Sequence, residues 1–109
     1  MLAACASTPP PNASIAAART AIAGAEKADA GRYAAPELAE ARAKLAASEA
    51  AVAAKTMPAA QRLAEQSTVE ADLATARADE AKAAAVNTEM KQSNTALSEE
   101  LQRASGSQP

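Results

Sequence analysis

Cys5 is the one thiol in the chain, and it stands directly behind Leu2-Ala3-Ala4. A lone thiol near the chain's start, behind a leucine and two small residues, is a candidate for lipid attachment. One acyl chain binds a membrane only marginally, whereas a thioether-linked diacylglyceryl group plus an amide-linked chain would hold a protein there in effect permanently. The competing reading is an incidental cysteine near the chain's start. The other groups with chemical potential are more scattered. There is no histidine, which excludes zinc sites of the usual Cys/His kind and any Cys–His catalytic pair. General acid–base work needs a sheltered pocket with perturbed groups, and the 13 carboxylates are spread along the chain. No enzymatic activity, cofactor, metal site or small-molecule substrate is therefore expected.

The elements that would carry these residues are helical. Alanine supplies 36 of 109 residues, and it is the best helix former. The large apolar residues are few, at seven Leu, three Val, two Ile and three Met, so the core must be thin and its helices close together. Aromatic residues are nearly absent and nothing alternates with period two, which argues against strands. The net charge is -2 with the signs interspersed, so neither nucleic acid nor a polybasic membrane contact is expected. No run of about 18 apolar residues is present to span a bilayer.

The predicted fold is all-α: an antiparallel helical hairpin within a three-helix bundle, with a long third helix projecting from it. Residues 1–5 carry the Cys5 motif, and residues 6–14, with Pro9-Pro10-Pro11, form a stiff, extended linker. The helical domain covers residues 15–104, with helices at about 13–30, 36–54 and 58–104, and residues 105–109 form a disordered end. Asn12 or Ser14 is expected to cap the first helix, Ile15, Ala18, Ile22 and Ala25 to face inward, and Gly31 to end it. Gly24 beside that seam suggests fraying or a close backbone contact. Tyr33, the only aromatic residue, is expected to plug the first corner. Pro36 and Glu37 suit the first turn of the second helix, whose Leu38, Leu45 and Val52 recur every seven residues with Ala41 and Ser48 between them. Arg42 would lay its stem beside this seam, and Glu40 would pair with Lys44. At Lys55-Thr56-Met57-Pro58 the helix breaks, with Thr56 as a cap.

Beyond about Arg77 the third helix is expected to outrun its neighbours. Its seam is assigned to Val69, Leu73, Ala76, Glu80, Ala83, Asn87, Met90, Asn94, Leu97 and Leu101, spaced alternately by four and three. Asn87 and Asn94 fall where a buried Asn fixes register in a parallel dimer, so Leu73, Asn87, Met90, Asn94, Leu97 and Leu101 are the candidate self-association residues. The opposing reading is a solvated single helix supported by pairs such as Asp79 with Lys82 and Glu99 with Arg103. There is also an internal echo between Tyr33–Glu40 and Met57–Glu65, each a corner, a helix start and then Leu-Ala-Glu.

Leu2-Ala3-Ala4-Cys5 resembles a bacterial lipobox, although the basic and apolar stretches of a complete signal peptide are not among these residues. A start further upstream, or a shortened chain, would account for that. Tyr33 to Leu38, Ala41 to Leu45, Arg62 to Glu65 and Asp72 to Arg77 resemble the small bacterial envelope proteins built on the domain DUF4398, over roughly two thirds of the chain. Thr56-Met57-Pro58 departs from that family's Asp-Tyr-Ala-like second corner, so a looser turn is expected there. Some members continue into an OmpA-like peptidoglycan-binding domain, and none is expected in this chain. The resemblance implies a lipid-anchored protein, and Ala6 after the cysteine, where inner-membrane retention uses Asp, implies the periplasmic face of the outer membrane. The expected role is a non-enzymatic scaffold or interaction module, tethered through Cys5, that meets an envelope protein or a second copy of itself. The alternative is a soluble helical adaptor that associates through its third helix.

Overall fold

The computed structural model describes residues 8–106. The described chain is all-α, in the order α1 (Asn12–Lys27), α2 (Ala30–Tyr33), α3 (Ala35–Ala53) and α4 (Met57–Gly106). It divides into two units, Met1–Ala78 and Asp79–Pro109, and α4 runs through the division.

In the first unit the directions of the helices can be read from their cross-links. Arg19 pairs with Glu49 and, one heptad on in α1 but one heptad back in α3, Glu26 pairs with Arg42, both at 2.7 Å. Ser48 Oγ donates to the Ala60 carbonyl and Ser67 Oγ to the Ala41 carbonyl, again at 2.7 Å and again one heptad apart in opposite senses. Both α1 with α3 and α3 with α4 are thus antiparallel, which is the predicted bundle.

The inner faces follow from residue size. Ile15, Ala18, Ile22 and Ala25 of α1 are buried, as are Leu38, Ala41 and Ser48 of α3, while Leu45 packs on the core's edge. The expected heptad holds in α1, and in α3 it holds through Leu38 and Leu45, while Val52 is only half-buried and borders a cleft. The face that α4 turns inward is Ala60, Ala64, Ser67, Ala71, Ala74 and Ala78, every one of them small. The seam assigned to this helix from sequence is not that face: Val69 is 65% exposed and Leu73 39% exposed. At about 100° per residue, the Val69–Leu73 line lies roughly 150° around the helix from the alanine stripe. A thin core explains the choice. With helices in close approach there is room between them for Ala and Ser and not for Val and Leu, and the bulky residues are displaced outward.

The corners differ from expectation in detail. Helix α1 is preceded by Pro11, with no side-chain cap from Asn12 or Ser14, and the Asn12 N–H reaches the Pro10 carbonyl instead. It ends at Lys27, because Asp29 takes the left-handed conformation at φ 63°, and not at Gly31, whose φ is ordinary. Asp tolerates that conformation better than most residues. The early stop releases Ala30 and Ala34 to be buried through the single turn of α2. Tyr33 there is half-buried against the core, with the Arg32 guanidinium 5.1 Å from its ring centre. No residue crowds the place where a Cβ would stand on Gly24, so no close contact requires that glycine.

The second corner is tight and not loose. Lys55 is left-handed at φ 62°, its N–H bonds the Val52 carbonyl and the Thr56 N–H bonds the Ala51 carbonyl, a Schellman closure of α3. Thr56 Oγ1 donates to Ala51 as well, so this side chain closes α3 and does not cap α4. Pro36 and Glu37 lie in the first turn of α3, as expected.

In the second unit, α4 continues to Gly106, past the expected stop at Ala104. Every residue from Ala83 to Gly106 is exposed. Arg103 pairs with Glu100 and not with Glu99.

Candidate interaction surface

Cys5 and its motif lie outside the described residues. The chain leading from it is described from Thr8, and Thr8, Pro9 and Pro10 have no regular structure. These three residues border a shallow cleft shared with Lys55, Met57 and Pro58. A second cleft beside it is lined by Asn12, Ile15, Arg19, Glu49 and Val52. The incoming linker, the start of α1, the end of α3 and the start of α4 therefore meet at one end of the bundle. From that end α4 runs toward the opposite corner, where Arg77 reaches back to the Glu37 carboxylate.

Among the described residues the interior of the bundle is apolar apart from two serines. Its polar side chains, Ser48 and Ser67, both spend their hydroxyls on backbone carbonyls of the facing helix. Among the described residues no buried side-chain nitrogen or oxygen lacks a partner. No group of three or more His, Cys, Asp or Glu could hold a metal ion among them, and no described helix is long and apolar enough to cross a membrane. Arg42, expected with its stem beside the seam, reaches from α3 to Glu26 of α1 at 2.7 Å. Glu40 and Lys44 form the expected pair at 3.7 Å.

Unfilled apolar surface is on the outside of α4. In the first unit it consists of Val69 and Leu73, with Val69 bordering an open groove beside Arg62, Glu65, Gln66 and Glu70. In the second unit Met90, Leu97 and Leu101 are each more than half exposed. Asn87 and Asn94 lie on the same helical line as these three and are likewise exposed. Of the residues singled out from sequence, the structure thus gathers Asn87, Met90, Asn94, Leu97 and Leu101 on one face, while Leu73 belongs to the bundle unit. Val86, also more than half exposed, was not singled out. Its place immediately before Asn87, on the flank of the seam, was the available signal. Thr88 makes no outward demand, because its hydroxyl donates back to the Ala84 carbonyl.

Compared with known families, residues 13–90 match the model of a domain of unknown function, DUF4398. No curated protein and no solved structure matches the chain.

Proposed function

The chain belongs to the DUF4398 family, and from that premise we propose that it is a non-enzymatic cell-envelope lipoprotein, a helical interaction module tethered through Cys5. The observation that carries this reading is the lipobox-like Leu2-Ala3-Ala4-Cys5 followed by a proline spacer. The bundle suits a tether. The linker, from Thr8 to Pro10, lies beside the start of α4, so a tether at Cys5 would reach the bundle at that end. The anchor lies in the outer membrane, facing the periplasm, in keeping with Ala6 after the cysteine. The helical module then presents exposed apolar and amide side chains of α4 to an envelope protein or to another copy.

Cells expressing the protein behind a complete signal peptide and fed labelled palmitate should yield a labelled band. Cys5→Ala should abolish it. An unlabelled wild-type band contradicts the anchor. A second reading is a soluble helical adaptor, favoured by the exposure of Met90, Leu97 and Leu101, which serve an interaction with or without lipid. Fractionation separates the two: recovery with outer membranes supports the first, recovery in the soluble fraction the second.

A further inference from the structure

The second unit carries an unpaired line of residues whose polar members choose their partner. Ala83, Asn87, Met90, Asn94, Leu97 and Leu101 follow one another by alternate steps of four and three, the spacing of a coiled-coil seam. In that register Asn87, Asn94 and Leu101 occupy the first core position of successive heptads, and Ala83, Met90 and Leu97 the second. All six are exposed to solvent.

We infer that the stretch of α4 from Ala83 to Leu101 pairs with the same stretch of a second copy as a parallel, in-register, two-stranded coiled coil. The inference deepens the reading above, resting on its interaction role and not on its anchor.

The two amides carry the argument. In a parallel, in-register pair each first-position residue meets its own twin, so Asn87 faces Asn87 and Asn94 faces Asn94. A carboxamide is both donor and acceptor, and such a pair satisfies itself. In an antiparallel pair the first positions face the second, and each Asn would lie against a residue of the Met90 and Ala83 class with its amide buried and unpaired. A shift by one heptad sets Asn94 of one copy against Leu101 of the other and leaves an amide stranded. A foreign helix with an apolar seam strands both. Only the second copy in register satisfies every layer, and Asn at the first position is also the residue that selects two strands.

The flanks do not oppose this arrangement. Across a parallel pair Val86 of one copy neighbours Lys91 of the other, whose stem can cover it. Ser93 neighbours Ser98, and Glu100 neighbours Ser105, so no like charges meet. Glu80, one layer before Ala83, would face its twin and marks where close pairing begins.

Light scattering on the full chain without lipid should give twice the 10.9 kDa of one copy as concentration rises. Replacing both Leu97→Ser and Leu101→Ser should raise the dissociation constant at least about a hundredfold, since two exposed leucines per strand lose their burial. Both residues are exposed in the single chain, so the bundle itself should keep its helical circular dichroism. Direction is read from Ala83→Cys and Leu101→Cys, a second and a first core position that would face each other only in an antiparallel pair, each in a Cys5→Ser background. Each variant should form a disulfide with itself under mild oxidation. Cross-linking only in a mixture of the two would overturn the parallel arrangement, and a mass of one copy or three copies would overturn the pair. Palmitate labelling does not enter these measurements, so a failure here leaves the anchor standing, and a failure of the anchor leaves this pair standing.

Discussion

Helix α4 is one element with two kinds of environment. From Met57 to Ala78 one stripe of small residues is buried against α1 and α3, and the bulky Val69 and Leu73 face outward. From Ala83 to Gly106 no residue is buried, and bulky and small residues alike meet solvent. The first part is held by packing. The second is held by alanine's helix propensity and by local bonds such as that between Arg103 and Glu100. Burial in this protein therefore goes with smallness in α4 and with bulk in α1 and α3, where Ile15, Ile22 and Leu38 fill the space that the alanines leave.

Substitutions that treat the two parts alike should expose the difference. The largest effect is expected at Leu38, fully enclosed and in one cluster with Ala71, Ala74 and Ala78. Leu38→Ala should cost about 2–5 kcal/mol in urea unfolding, whereas Leu97→Ala, in the exposed part, should leave the bundle's transition where it is. Enlarging the alanine face comes next. Ala71→Leu overfills a site with no exposed surface and should cost about 1–3 kcal/mol, while Ala85→Leu, at an exposed position, should change stability by less than about 0.5 kcal/mol. Equal effects at the two alanines would erase the distinction. The smallest effect has the opposite sign: Gly24→Ala, in a helix interior with open space around it, should raise stability by up to about 1 kcal/mol.

Much of the bundle was legible in the sequence because contrast was present. Ile15 and Ile22, and Leu38 with Leu45, stand out against alanine at heptad spacing, and the structure turns them to the core or its edge. The inward face of α4 was not legible. Ala60, Ala64, Ala71, Ala74 and Ala78 are buried while Ala76 and Ala83 to Ala85 are exposed, and periodicity cannot separate identical residues. The bulky stripe then invited the wrong assignment within the bundle. The corners failed for another reason. Gly31 and Thr56 are the residues that propensity nominates, yet the backbone reverses at Asp29 and Lys55, where burial of Ala30 and closure of the Ala51 carbonyl decide the geometry. The Glu37–Arg77 and Ser67–Ala41 links join residues far apart in sequence, and no local pattern announces them. In the second unit Met90, Leu97 and Leu101 stood out in the sequence because they interrupt alanine, and the structure shows them exposed.

Amide hydrogen exchange on the unlipidated full chain at a series of concentrations tests the division of α4 most directly. Protection from Ala60 to Ala78 should be high and independent of concentration, because the chain's own helices supply it. Protection from Ala83 to Leu101 should be low when dilute and should climb as the chain is concentrated, because only a second copy supplies it. Equal, concentration-independent protection in both stretches would contradict the account.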